Sequence, residues 1–115
     1  MEFDFSKQND QKLKIKEKSQ ISFIEMSEIL YLQCEGYLTT IYLVNKTSVA
    51  IAKLLKDFED ELTQFGFLRV NHYTLINVRH INTLKICKQQ RVVFINDVEI
   101  KISRRKLHLL KELLK

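Results

Sequence analysis

The sequence predicts a mostly β domain of short antiparallel strands carrying two helices. Three observations predict it. Apolar residues recur with a period of two in short runs separated by turn-forming pairs. A 3.6-residue period surfaces in only two places. There is no proline and there are only two glycines, Gly36 and Gly66, which leaves little room for long irregular loops.

Met1 to Asp10 are polar and carry no clear period, so residues 1–11 read as an N-terminal tail or linker and residues 12–115 as one domain. From Lys12 the run KLKIKEK alternates apolar with charged, the signature of a half-buried strand. Gln20 to Glu25 continues as a second strand, Met26 to Glu28 turn, and Ile29 to Cys34 form a third. Glu35-Gly36 punctuates a hairpin, and Tyr37 to Val44, rich in β-branched and aromatic residues, reads as the fourth strand. Asn45-Lys46 turns the chain, and Thr47 or Ser48 offers a hydroxyl to cap a helix. Ile51, Leu54, Leu55, Phe58 and Leu62 lie on one face of that helix, which Gly66 ends.

Phe67 to Val70 resumes as a strand, followed by short apolar pieces at Leu75–Val78 and Ile81. Leu84–Cys87 and Arg91–Ile95 are strands joined around Gln89-Gln90, Asn96-Asp97 turns, and Val98–Ile102 is the last strand. Ser103 caps a final helix whose stripe of Leu107, Leu110 and Leu114, joined by Leu109 and Leu113, reads as core packing.

At 115 residues and 45% hydrophobic composition, one domain can bury a core without disulfides or metal. Cys34 and Cys87 each lie in an apolar stretch without close metal-ligating partners, and read as buried free thiols. No signal peptide is evident at Met1, and no run approaches the roughly 18 apolar residues of a membrane span. The expected location is the cytoplasm.

Catalysis finds no support. No serine lies in a nucleophile elbow and no HExxH spacing exists. His108 sits within the last helix, and the acids Asp57, Glu59, Asp60 and Glu61 lie on a solvated helix face. Too few glycines are present for a phosphate cradle. No cofactor and no metal is expected.

Charge is more informative. Residues 1–68 hold 8 Lys/Arg against 11 Asp/Glu, a net of −3, whereas residues 69–115 hold 11 against 3, a net of +8. Such a segregated field attracts a polyanion. Two segments concentrate it, Phe67–Ile81 and Ile100–Leu114, each joining an extended apolar stretch to Arg, Lys, His or Asn. Arg104, Arg105 and Lys106 fall in the first turn of the last helix, where the macrodipole disfavours cations but free backbone amides suit phosphate. Lys101 and Ser103 can add contacts. In Asn71-His72-Tyr73, Asn and His suit base edges and Tyr suits phosphate or stacking. Arg69 and Arg79 can reach phosphate or merely solubilise strand ends. Tyr37 is a further contact candidate, and Asn77 reads as a structural side chain satisfying backbone.

Taken in order, these residues resemble the LytTR family of DNA-binding domains. In that family an apolar stretch ends in a polar loop with an aromatic and a helix follows. Then comes a Phe-x-Arg-x-His-Arg/Asn-Ser-Tyr/Phe-Leu/Val-Val-Asn box with a later isoleucine, a β-hairpin, and a Ser-Arg-Arg before a helix. Here Leu68-Arg69-Val70-Asn71-His72-Tyr73-Thr74-Leu75-Ile76-Asn77 matches the box, Ile81 the isoleucine and Ser103-Arg104-Arg105 the last motif. The resemblance spans Lys12 to Leu114. It implies an elongated, mostly antiparallel β-sheet fold and a bacterial transcriptional regulator akin to response regulators. Its loops would enter successive major grooves of double-stranded DNA, usually at paired direct repeats, with a homodimer forming on the DNA.

The positions implied are Tyr37 in the first loop, Asn71, His72 and Tyr73 in the second, and Arg105 in the third. Arg105 would read a guanine, His72 and Tyr37 would touch base edges, and Arg69, Ser103, Arg104 and Lys106 would hold phosphates. The chain departs from the family at Asn71-His72-Tyr73, where a bulky phenol replaces the usual small hydroxyl. Such domains commonly follow a phosphoacceptor receiver domain, and none lies within these residues. The alternative reading is a protein-interaction module using the basic face or its strand edges.

Overall fold

The computed structural model describes residues 5–115. Ten strands form three antiparallel sheets. The first is a hairpin of β1 (Lys12–Lys16) and β2 (Ile21–Glu25). The central sheet contains β3 (Ile29–Glu35), β4 (Leu38–Leu43), β5 (Ser48–Ile51), β6 (Phe67–Asn71) and β7 (Thr74–Asn77), in the order β5-β4-β3-β7-β6. The third, in the order β10-β9-β8, contains β8 (Thr83–Cys87), β9 (Gln90–Ile95) and β10 (Val98–Lys101). Helices α1 (Leu55–Leu62) and α2 (Arg104–Leu113) complete an elongated body of 48 × 31 × 25 Å. The mostly β, two-helix architecture is the one the sequence predicts.

The central sheet is the wall between two cores. One face packs Leu32, Ile41, Phe67 and Leu75 against Leu13 and Ile15 of β1 and against Leu55, Phe58 and Leu62 of α1. The other packs Tyr31, Val70 and Ile76 against Val93, Ile95, Ile100, Ile102 and, from α2, Leu110. A strand covered on both sides must be apolar on both, and β7 is accordingly buried at every position from Thr74 to Asn77. A register shift between Ile29 and Tyr31 lets Leu30 and Tyr31, consecutive residues, both join the second core. Tyr31 stacks on Tyr42 with ring centroids 4.6 Å apart. Burial, and secondarily Tyr42, push the Tyr31 phenol above its ordinary value of 10.0.

Asn77 satisfies backbone, as its sequence context predicts, and in doing so joins segments far apart in sequence. Its fully buried amide donates to the carbonyls of Ile29 (2.8 Å) and Met26 (3.2 Å) and exchanges bonds with the Gln8 amide. Gln8 Nε2 also donates to Phe65 O at 2.7 Å. Gln8, expected in a polar tail, is therefore buried beside the core; residues 1–4 of that segment lie outside the described residues.

Three local expectations need correction. Thr47 and Ser48 cap no helix: Ser48–Ile51 add strand β5 to the edge of β4, with Thr39 opposite Ile51 and Tyr42 opposite Ser48. The helix starts only at Leu55, after Leu54 in extended backbone, so Leu54 is exposed and Ile51 reaches the core from a strand. Cys87 is exposed and Cys34 half-buried; β8 is an edge strand exposed at every position but Leu84, so an apolar run there does not bury its thiol. Leu109 and Leu114 are exposed as well; α2 buries Leu110 fully and Leu107 and Leu113 in part.

Candidate nucleic-acid interface

Antiparallel pairing decides where the polar turns lie. β3 and β4 run out to a tip at Gly36-Tyr37, with Glu35 opposite Leu38. Gly36 is left-handed (φ 60°), and an added Cβ would meet nothing within 4 Å, so the backbone angle alone favours glycine there. Tyr37 stands on this tip 82% exposed. Next in the sheet, β7 pairs with β3 through Gln33 opposite Thr74, and Cys34 N donates to Tyr73 O at 2.9 Å. The β6–β7 turn therefore opens at the same end as the Tyr37 tip. With strands about 4.8 Å apart, the two turns are centred roughly 10 Å from one another.

The third piece is tied to the second. Ser103 N donates to Val70 O at 2.8 Å, and Asn71 Nδ2 donates to Lys101 O at 2.7 Å. These bonds hold the end of β10 and the start of α2 against the end of β6. Ser103 is in extended backbone and its hydroxyl accepts from Lys106 N at 3.3 Å, the cap its sequence position predicts. The first turn of α2 so presents Arg104, Arg105 and Lys106 at the same end as the two turns.

Within the β6–β7 turn the side chains divide their labour. Asn71 is occupied at both amide atoms, since its Oδ1 accepts from Tyr73 N at 2.8 Å while its Nδ2 holds Lys101. Arg69 is also engaged: one terminal nitrogen donates to His72 O at 2.7 Å and the other lies 3.4 Å from Glu59 Oε1 on α1. The result is a rigid turn whose tip side chains are free. His72 and Tyr73 are both exposed, their rings 6.1 Å apart, and Tyr73 is 66% exposed.

Six of the nine residues singled out in the sequence, Arg69, Asn71, His72, Ser103, Arg105 and Lys106, line one open cleft of about 380 Å³ together with Glu59. Tyr73 lies on the adjoining surface with Asn71 and Lys101. Tyr37 belongs to the neighbouring tip, and Arg104 is exposed beside the cleft without lining it. Sequence reasoning missed Glu59, read as part of a solvated helix face, and the Lys101 carbonyl. Neither carries a local signal, because both act through long-range contacts. Among the described residues no His, Cys, Asp or Glu cluster could hold a metal ion.

Residues 19–115 match the model of the LytTr DNA-binding domain family. No curated relative matches the chain in sequence. Among solved structures, the LytTr DNA-binding domain of a methyl-accepting/DNA response regulator from Bacillus cereus superposes with a TM-score of 0.71 at 15% identity, covering 90% of this chain and 95% of that one. At that identity the likeness speaks for the fold, while the family match rests on the sequence. Taken with the row of basic and polar turns at one sheet end, these findings lead to one conclusion: the chain belongs to the LytTr DNA-binding domain family.

Proposed function

We propose that this domain reads a specific double-stranded DNA sequence in the major groove and thereby acts as a bacterial, cytoplasmic transcriptional regulator. The observation that supports it most is the row of three turns at one end of the central sheet, carrying Tyr37, then His72 and Tyr73, then Arg104, Arg105 and Lys106. A rigid edge with exposed planar groups and cations suits a groove, where cations position the protein on phosphates and planar donors read base edges.

In this reading Arg105 takes a guanine bidentately and His72 and Tyr37 touch base edges. Arg104, Lys106 and the Ser103 hydroxyl lie against backbone phosphate near the amide end of α2. Asn71 and Arg69 act one step back. Asn71 shapes the turn and docks Lys101, while Arg69 spends its guanidinium on His72 O and Glu59, keeping a spare edge for phosphate. The single row fits one half-site, so two copies on paired direct repeats would complete a site.

The test is selection from a random DNA pool with the purified chain at two salt concentrations. Enrichment of one short motif, repeated in direct orientation, is expected, with affinity falling steeply with salt as counterions are released. Binding that disappears with salt while enriching no motif would contradict specific readout.

A further inference from the structure

We propose that the tip of the β8–β9 hairpin is a fourth DNA contact, a clamp on backbone phosphate beside the three reading turns. It rests on the DNA reading above and extends that reading to a segment outside it. The topology carries the argument. β9 lies between β8 and β10 and is antiparallel to both, so it begins where β10 ends. Lys101 pairs with Val92, Ile102 N donates to Arg91 O at 2.8 Å, and Arg91 Nε donates back to Ile102 O at 3.3 Å. The tip at Lys88-Gln89 therefore points the same way as Ser103 and the start of α2, and the row of turns has a fourth member.

Its chemistry differs from the other three. Lys85 and Lys88 are exposed and Arg91 is half-exposed, and none of them makes an ion pair among the described residues. Between the tip and the end of β10 an open cleft of about 220 Å³ is lined by Gln89, Gln90, Arg91, Glu99 and Lys101. Glu99 is the one carboxylate there, and it pairs with neither Arg91 nor Lys101. Arg91 donates Nε to the Ile102 carbonyl, and its terminal nitrogens take no protein partner among the described residues.

Lysines on a turn are flexible point charges suited to phosphate and carry no base information. The strand that bears the tip is held firmly, since Val93 and Ile95 of β9 are fully buried in the second core. A charge placed on such a mount fixes orientation on the duplex, which is the work a flanking clamp would do.

The experiment compares the wild-type chain with Lys88→Ala and Lys88→Glu on the selected site and on an unrelated duplex, across a salt series with hydroxyl-radical footprinting. Lys88 is exposed in a turn, and circular dichroism checks that both variants are folded. The expected result for Lys88→Ala is a common loss on both duplexes of about three- to tenfold and a salt slope shallower by about 0.9, the signature of one phosphate contact. Protection at one outer edge of the footprint should vanish while base preferences stay unchanged, and Lys88→Glu should lose more. If the wild type binds its site specifically and both variants keep its slope and footprint, the clamp is wrong and the three-turn reading stands. If the wild type recognises no duplex, both fall together.

Discussion

Asn71→Ala should uncouple the two basic segments of the interface. The side chain donates to Lys101 O at 2.7 Å across 30 residues of sequence and accepts from Tyr73 N at 2.8 Å within its own turn. Each such bond contributes about 0.5–1.5 kcal/mol net, and the half-exposed site lets water replace part of both. A loss of about 1–2 kcal/mol is expected. For a chain of this size each kcal/mol lowers the melting temperature by about 4 °C, so the variant should melt roughly 4–8 °C lower. Asn71→Asp keeps the acceptor for Tyr73 N but sets a carboxylate oxygen against the Lys101 carbonyl, and should cost at least as much. The assay pairs thermal melting with DNA affinity. Affinity should drop further than in His72→Lys, which leaves the Asn71–Lys101 bond intact, because the start of α2 loses its register to the turn. Melting within 1 °C of wild type together with unchanged affinity would refute the role given to the Asn71–Lys101 bond.

Other outcomes follow from the same contacts. Asn77→Ala removes the side-chain donor to the Ile29 carbonyl and the partner of Gln8 Oε1 inside the core, while Met26 O keeps the Ile29 amide and Gln8 Nε2 keeps Phe65 O, and should cost about 2–4 kcal/mol in urea unfolding. Ser103→Ala removes the cap of α2 and should cost about 1 kcal/mol, which Ser103→Asp should largely restore in unfolding assays without DNA. Tyr31 has a folded pKa above its unfolded value of about 10, so its contribution is fully present below pH 10 and is lost as pH rises through the folded value. Melting temperature should therefore fall more steeply above pH 10 in the wild type than in Tyr31→Phe, and equal slopes would count against this burial effect.

Much of this was legible in the sequence where the signal is local. The KLKIK alternation places Leu13 and Ile15 in the core and the lysines outside, and the Ser103 cap precedes α2 as its position demands. β5 was not legible, because Thr47-Ser48 imitate a helix cap and Ile51, Leu54, Leu55, Phe58 and Leu62 fit a helical period. What decided it was the free edge of β4, a partner that no local window contains. The exposure of Cys87 followed the same logic, since an apolar neighbourhood says nothing of which face of a hairpin is covered.

The site divides in the same way. The turns bearing His72 and Arg105 could be named from motif and charge. That Asn71 is bound at both ends, and that Glu59 holds Arg69, depends on contacts 30 and 10 residues distant. Gln8 lies 69 residues from Asn77, and nothing in its polar surroundings announces a buried partner.

The most direct test of the central claim is the base-preference profile of Arg105→Ala measured beside that of the wild type on the same DNA pool. A bidentate guanine contact predicts loss of discrimination at one position, about 1–3 kcal/mol, with preferences elsewhere kept, while Lys106→Ala weakens all sequences alike. A profile for Arg105→Ala that superimposes on the wild type would contradict the account.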